Sequence, residues 1–169
     1  NWLLRREMTA QLAEQMAKGG AGRIVLNGRS APSAEALAAI REKSRGNAHV
    51  YLLGYPHLLN TDSYGIPEAA PTYDAGAALD ELQRRGDELQ REGVAELDAS
   101  AKGRGGFTFV DVKPAWGGMA HGLDPRSVPD NSQAWLVPVL APGRELPEWV
   151  HPTVEGYTAS ASALSAAMR

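Results

Sequence analysis

The sequence predicts an α/β fold built around a parallel sheet, and two observations lead to that prediction. Apolar patterns with the helical period alternate along the chain with short continuous apolar runs, which are typical of strands buried on both faces of a parallel sheet. The order is helix, strand, helix, strand, helix, strand, long loop and helix, which favours right-handed crossovers. The chain has 169 residues, 43% of them hydrophobic, so we expect one domain over residues 1–169.

Apolar residues at steps of three and four predict the helices. The first is expected in residues 2–18, where a glycine-rich stretch ends it, and the second in residues 33–45. The third is expected from about Tyr73 to Lys102. Its predicted buried side is formed by Leu79, Leu82, Leu89, Val94 and Leu97. Thr153 is expected to cap the last helix, whose predicted buried stripe consists of Val154, Tyr157, Ala161, Leu164 and Met168.

Three short apolar runs are predicted to hold the strands of the sheet: RIVLN at 23–27, HVYLLGYP at 49–56, stopped by its glycine and proline, and the part of GRGGFTFVDV at 103–112 that follows a loop. Binding and catalytic sites in open parallel sheets lie beyond the carboxyl ends of the strands. The segments expected at that edge are NGRSAPS, GYPHLLNTD, KPAWGGMAHG and the loop that ends at His151. Residues 113–150 form a long loop of turn chemistry, and loops of that length are usually functional.

Composition excludes several classes of function. The net charge is −3 and the sequence has no cysteine, so we expect no nucleic-acid partner, no disulfide framework and no thiol nucleophile. The sequence contains no run of about 18 apolar residues, so we expect no membrane-spanning helix. The four histidines are scattered and no cofactor-binding motif occurs, so no metal and no cofactor are expected. The N-terminal residues lack the organisation of a signal peptide, which leaves the compartment open.

His151 is the residue of greatest interest because it lies directly before the last predicted helix. Pro152 restricts the chain on one side of it, so the imidazole can be aimed into a cleft. The alternative interpretation is a surface or structural histidine.

Three segments in this order resemble the SGNH (GDSL-type) serine esterase and lipase family. HVYLLGYPHLL resembles the family's fourth strand with its Gly-Tyr-Pro turn, and GFTFVDVKPAWGGMAHG resembles its last strand and active-site loop. WVHPTVEGYTASASAL resembles the block that carries the catalytic histidine. The resemblance implies a three-layer α/β/α flavodoxin-like domain, incomplete in this chain, that hydrolyses carboxylic esters without a cofactor. It is also compatible with an extracellular location.

The same resemblance implies roles for individual residues. His151 would be the general base that takes the proton of the serine nucleophile. The family usually has an aspartate three residues before this histidine, where this chain has Glu148. Glu148 would orient the ring. In the alternative interpretation a main-chain carbonyl orients the ring, and Glu148 is a solvated loop carboxylate. Gly54 and Trp116 are expected to flank one substrate cleft, although a tryptophan that only covers the core is an open alternative.

The N-terminal third resembles the family's third block, which contributes to the oxyanion hole. QLAEQMAKGGAGRIVLNGRSA matches its helix, strand and Gly28, but Ser30 and Ala31 stand where the family has asparagine and aspartate. In this alignment the nucleophile block is absent, which implies a companion polypeptide that pairs with residues 23–27 and supplies the serine. The companion is either an upstream part of the same protein or a separate chain. A second alignment makes Ser30 itself the nucleophile, and a third interpretation makes Ser30 a turn residue near a helix start.

Two functions follow from these observations. The first is the carboxyl-terminal part of a serine esterase or lipase that acts on a small-molecule ester. The second is a catalytically degenerate relative that serves as an interaction or structural module of a larger protein. The unusual third block favours the second function, and the retained Glu-x-x-His-Pro pattern favours the first.

Overall fold

The computed structural model describes residues 23–27, 34–66, 73–101, 106–127 and 130–169. In chain order the elements are β1 (Arg23–Asn27), α1 (Ala34–Lys43), β2 (His49–Leu53), β3 (Gly65–Ile66), β4 (Tyr73–Asp74), α2 (Ala75–Ser100), β5 (Phe107–Val110) and α3 (Val154–Ala167), with 3-10 turns at Pro114–Trp116 and Leu146–Glu148. The predicted alternation of strands and helices is confirmed over these ranges. The helix expected in residues 2–18 lies outside the described residues.

The chain divides into two compact units. The sheet unit contains the described residues up to Gly54 together with Glu88–Val110, and the loop unit contains Tyr55–Asp87 and Asp111–Arg169. Each unit is described by itself below. Within the described residues, no helix is long and apolar enough to cross a membrane.

The sheet unit holds a three-stranded sheet in the order β1-β2-β5. Both pairs of neighbours are parallel, with Ile24 opposite Val50 and Leu52 opposite Phe109. The predicted α/β class with a parallel sheet is therefore confirmed. β1 pairs with β2 on one side, and the described part of the chain places no strand on the other side of β1.

The core of the sheet unit lies where α1 and α2 cover one face of the sheet. Val50 and Leu52 alternate along β2 and point to the same face, as the two-residue period of a strand requires. They form a buried cluster with one residue of each helix, Ile40 and Val94, and with Phe107 of β5. Tyr51, on the opposite face of β2, is also buried, and burial on both faces explains why HVYLL is a continuous apolar run.

One side of α2 differs from the prediction. Leu82 and Leu89 are 69% and 60% exposed, so their assignment to the buried side was wrong. At about 100° per residue, Leu82 lies about 120° around the helix from the buried Val94. Gln83, the next residue after Leu82, makes inward contacts instead: its side chain accepts a hydrogen bond from the Leu58 amide and donates one to the Pro56 carbonyl.

The buried side of α3 also differs from the prediction. Thr153 caps the helix as expected, since its Oγ1 accepts a bond from the Gly156 amide. Val154 and Tyr157, however, are 77% and 53% exposed, so the predicted apolar stripe is not buried. The buried positions are Gly156 and Ala159. The reason is steric, because a side chain at 156 would meet Trp116 of the first 3-10 turn.

Candidate functional site

A groove of about 540 Å³ in the loop unit contains His151. Its volume is within the range of small-molecule sites. The lining combines apolar with charged and hydroxyl side chains. The residues are Val137, Arg144, Pro147, Glu148, His151, Pro152, Thr153, Val154, Glu155 and Tyr157. The structure therefore brings the predicted base and its predicted partner Glu148 to one concave surface, although it tests no catalytic role for either.

The backbone around His151 is fixed by pairing between two distant loop segments. The Val137 amide donates to the His151 carbonyl and the Val150 amide donates to the Val137 carbonyl, both at 2.8 Å. The Thr153 amide continues the pairing with the Trp135 carbonyl at 2.7 Å. The backbone that carries the half-buried His151 is thus hydrogen-bonded to a distant loop segment.

The Glu148 carboxylate takes part in local hydrogen bonds. Its Oε2 accepts a bond from the Glu145 amide at 2.8 Å, and its Oε1 accepts one from Arg144 Nη1 at 3.0 Å. The amide bond, and after it the Arg144 guanidinium, lowers the pKa of Glu148 below its usual value. Glu148 is therefore an anion at neutral pH. The Glu148 carbonyl also accepts the His151 amide at 3.2 Å.

A second carboxylate lies at the start of α3. Thr153 donates its hydroxyl to Glu155 Oε2 at 2.7 Å, and this bond lowers the pKa of Glu155. The groove consequently carries two carboxylates, from Glu148 and Glu155, and one guanidinium, from Arg144. Such a lining disfavours an anionic ligand.

Trp116 does not line this groove. Its side chain is buried, with 1% of the residue exposed, and its Nε1 donates to Ser160 Oγ at 3.0 Å. The ring packs on the Cα of Gly156 and so fixes α3, the helix that starts three residues after His151. In this structure Trp116 supports the helix and has no surface in the groove, as in the alternative interpretation of a core tryptophan.

The other predicted site residues are Gly54, Gly28 and Ser30. Gly54 is buried in the sheet unit, where its amide donates to the Val110 carbonyl at 2.9 Å. A Cβ at this position would come within 2.9 Å of Phe109 Cζ, so the glycine allows close packing. Gly28 and Ser30 lie outside the described residues. Their predicted oxyanion and nucleophile roles stay predictions.

Sequence reasoning missed several groove residues, of which Arg144 is the most important. The four-residue spacing of Arg144 and Glu148 is the usual spacing of a local ion pair, but it does not predict a groove. Val137 comes from an irregular segment whose pairing with His151 has no local sequence signature. Tyr157 was assigned to a buried stripe. Its exposure follows from how Trp116 sets the rotation of α3.

A second polar cluster lies elsewhere in the loop unit. His57 Nδ1 is 3.5 Å from Asp80 Oδ1, and Lys113 forms a largely buried ion pair with Asp87. The cleft beside His57 and Asp80 has no room for a water molecule. The groove at His151, which has the volume that a small ligand needs, is therefore the candidate site.

Comparisons with protein-family models, with curated proteins and with solved structures give no match. Among the described residues, no group of three or more histidine and carboxylate side chains is placed to hold a metal ion. The candidate site is thus defined by its own geometry and by the sequence resemblance stated above.

Proposed function

We propose that this chain carries the histidine side of a serine carboxylic-ester hydrolase site of the SGNH type. The observation on which the proposal rests is the position of His151, which lines a groove of about 540 Å³ on a backbone held by hydrogen bonds. A general base must have a fixed orientation and access to the substrate. The backbone that carries His151 is held by hydrogen bonds, and the residue lines the groove, which supports this role.

The sheet order supports the family assignment. In the flavodoxin-like strand order 2-1-3-4-5, the third, fourth and fifth strands are neighbours. In this chain the parallel strands β1, β2 and β5 likewise lie side by side in the order in which they occur along the chain. Under the proposal they are those three strands of a three-layer α/β/α domain. A companion polypeptide then adds the first strand, with the nucleophile, along the side of β1 that does not face β2.

The proposed reaction has two steps. The nucleophilic serine of the companion polypeptide attacks the ester carbonyl, and its proton passes to the imidazole of His151. His151 then gives this proton to the departing alcohol, and it later activates the water that hydrolyses the acyl-serine. The ring nitrogen that faces away from the serine carries the second proton throughout. Glu148 or a main-chain carbonyl accepts the hydrogen bond from that nitrogen.

The lining of the groove indicates the class of ester. Val137, Pro147, Val154 and Tyr157 provide apolar surface, and Val154 and Tyr157 are 77% and 53% exposed in the absence of a ligand. Burying this surface against an apolar acyl or alcohol group is favourable. The two carboxylates disfavour an anionic group. We therefore propose uncharged esters with an apolar substituent as substrates.

The test uses this chain together with its companion polypeptide, in one protein or as a complex, and measures hydrolysis of p-nitrophenyl butyrate. His151→Gln is expected to lower kcat by about 1,000-fold or more, because the serine loses its base. His49→Gln is the matched control, since His49 hydrogen-bonds Thr108 at 2.8 Å within the sheet unit. An equal loss in both variants, or no hydrolysis by the unaltered polypeptide, would contradict the proposal.

A specific observation favours the second candidate, a catalytically degenerate interaction module. Leu82 and Leu89 expose apolar surface on one side of α2, and β1 has a described neighbour on one side. Both features suit contact with another polypeptide. This candidate predicts stable binding of a companion and no ester hydrolysis by the complex.

A further inference from the structure

The residue directly before His151 has an unusual backbone conformation. Val150 has a φ of 63°, in the left-handed region. A β-branched L-residue is rarely found there, because Cβ comes too close to the following carbonyl oxygen. Such a conformation persists only where the surrounding structure holds it, and it is most frequent at functional sites.

Both backbone groups of Val150 are held. Its amide donates to the Val137 carbonyl, within the local pairing described above. Its carbonyl accepts a hydrogen bond from the Tyr55 hydroxyl at 2.8 Å. Tyr55 lies 95 positions earlier in the chain and belongs to the Gly-Tyr-Pro turn. A phenol has few rotatable bonds, so it holds an acceptor at little cost in side-chain entropy.

The peptide group between Val150 and His151 is consequently fixed at both ends. Tyr55 holds its oxygen, and the Glu148 carbonyl accepts its N–H at 3.2 Å. The orientation of this peptide group sets the direction of the His151 Cα–Cβ bond. If the bond from Tyr55 is lost, the Val150 carbonyl can move, so the chain can rotate about the Val150 N–Cα bond and relieve the left-handed conformation. The imidazole would then change direction.

We propose that Tyr55 is the positioning residue for His151, because its hydroxyl keeps Val150 left-handed and thereby aims the imidazole into the groove. The relevance to catalysis rests on the proposed esterase function. The structural coupling between Tyr55, Val150 and His151 does not rest on it. The tyrosine of the Gly-Tyr-Pro turn thus orients the histidine, a role that its position after a strand does not indicate.

The first test measures the imidazole signals of His151 by ¹H–¹⁵N NMR in the chain itself. Tyr55→Phe removes one oxygen atom and is expected to shift or double these signals. Tyr73→Phe is the control, since Tyr73 lies in β4, away from the groove lining, and it should leave them unchanged. Unchanged His151 signals in Tyr55→Phe would overturn the proposal, whether or not the chain is part of an esterase.

The second test is a rescue. Glycine adopts a φ of about 63° without the steric cost that valine has. The double variant Tyr55→Phe with Val150→Gly is therefore expected to regain the original His151 signals. Failure of this rescue would overturn the proposal. If Tyr55→Phe does not fold, the double variant should fold and show the original signals, and a double variant that is equally unfolded would also overturn it.

Activity separates this proposal from the proposed function. In the active polypeptide, Tyr55→Phe should lower kcat by about fivefold to tenfold with little change in KM, the effect of losing one hydrogen bond that orients the base. The Val150→Gly change should restore kcat. If the NMR shift and its rescue occur but no ester is hydrolysed, the coupling stands and the esterase proposal fails.

Discussion

Replacing Gly156 by alanine tests how the structure holds the helix next to His151. A Cβ at this position would lie 2.5 Å from Trp116 Cη2 and 2.7 Å from the Trp135 carbonyl oxygen. Trp116 is only 1% exposed, so its ring has little space to move, and the second contact is with main chain. Overpacking of this kind costs about 3 kcal/mol at its upper range. The better helix propensity of alanine offsets about 1 kcal/mol, which leaves a net loss of about 2 kcal/mol.

Gly86 provides the matched control, because a Cβ there would meet no atom within 4 Å. Gly86→Ala should stabilise the protein by about 0.5–1 kcal/mol through helix propensity alone. Urea unfolding followed by circular dichroism gives the free energy of unfolding of both variants. The expected difference between them is about 3 kcal/mol. Two variants of equal stability would show that Trp116 does not pack on α3 at Gly156, and the explanation given for the position of α3 would be refuted.

Two further predictions concern stability. Burial, and after it the Lys113 ammonium, lowers the pKa of His57 below 6.5. The unfolded chain then binds a proton more readily than the folded chain, so the free energy of unfolding should fall as the pH drops below about 6.5, and His57→Gln should remove that part of the pH dependence in urea titrations. On α2, Leu89→Ala should change the free energy of unfolding by less than about 0.5 kcal/mol, since Leu89 is 60% exposed. Val94→Ala should cost about 1–3 kcal/mol, since Val94 is 5% exposed. Equal effects of the two alanine substitutions would contradict the observed rotation of α2.

The elements of the fold could be predicted because their signatures are local. HVYLL forms a strand buried by both neighbours, and Thr153 caps the last helix through its own Oγ1. The buried sides of two helices could be predicted only in part, because they depend on distant contacts: Val94 and Leu97 of α2 lie in or against the core as predicted, whereas the outward side chains were assigned wrongly. Gln83 faces the loop at Pro56, and Trp116 requires a residue without a side chain at position 156. Neither contact is visible in the spacing of apolar residues along the sequence, which is the pattern from which buried sides are predicted.

The residues of the candidate site could likewise be predicted where the sequence pattern is local, and not where they depend on distant contacts. The sequence indicates His151 and Pro152 because a histidine and a proline before a helix form a local pattern. It does not indicate Arg144 as a groove residue or Tyr55 as a partner of Val150, since the Tyr55 hydrogen bond joins residues 95 positions apart. The left-handed conformation of Val150 is also invisible in the sequence, because valine is the wrong residue type to predict it.

The central claim is that His151 activates a serine nucleophile, and a fluorophosphonate probe tests it most directly. The probe reacts covalently with activated serines, and peptide mapping by mass spectrometry locates the modified residue. In this chain together with its companion polypeptide we predict one labelled serine, with labelling abolished in His151→Gln and retained in His49→Gln. Labelling at Ser30 would favour the alignment in which this chain supplies its own nucleophile. A polypeptide that is folded but not labelled, or labelled equally with and without His151, would contradict the claim.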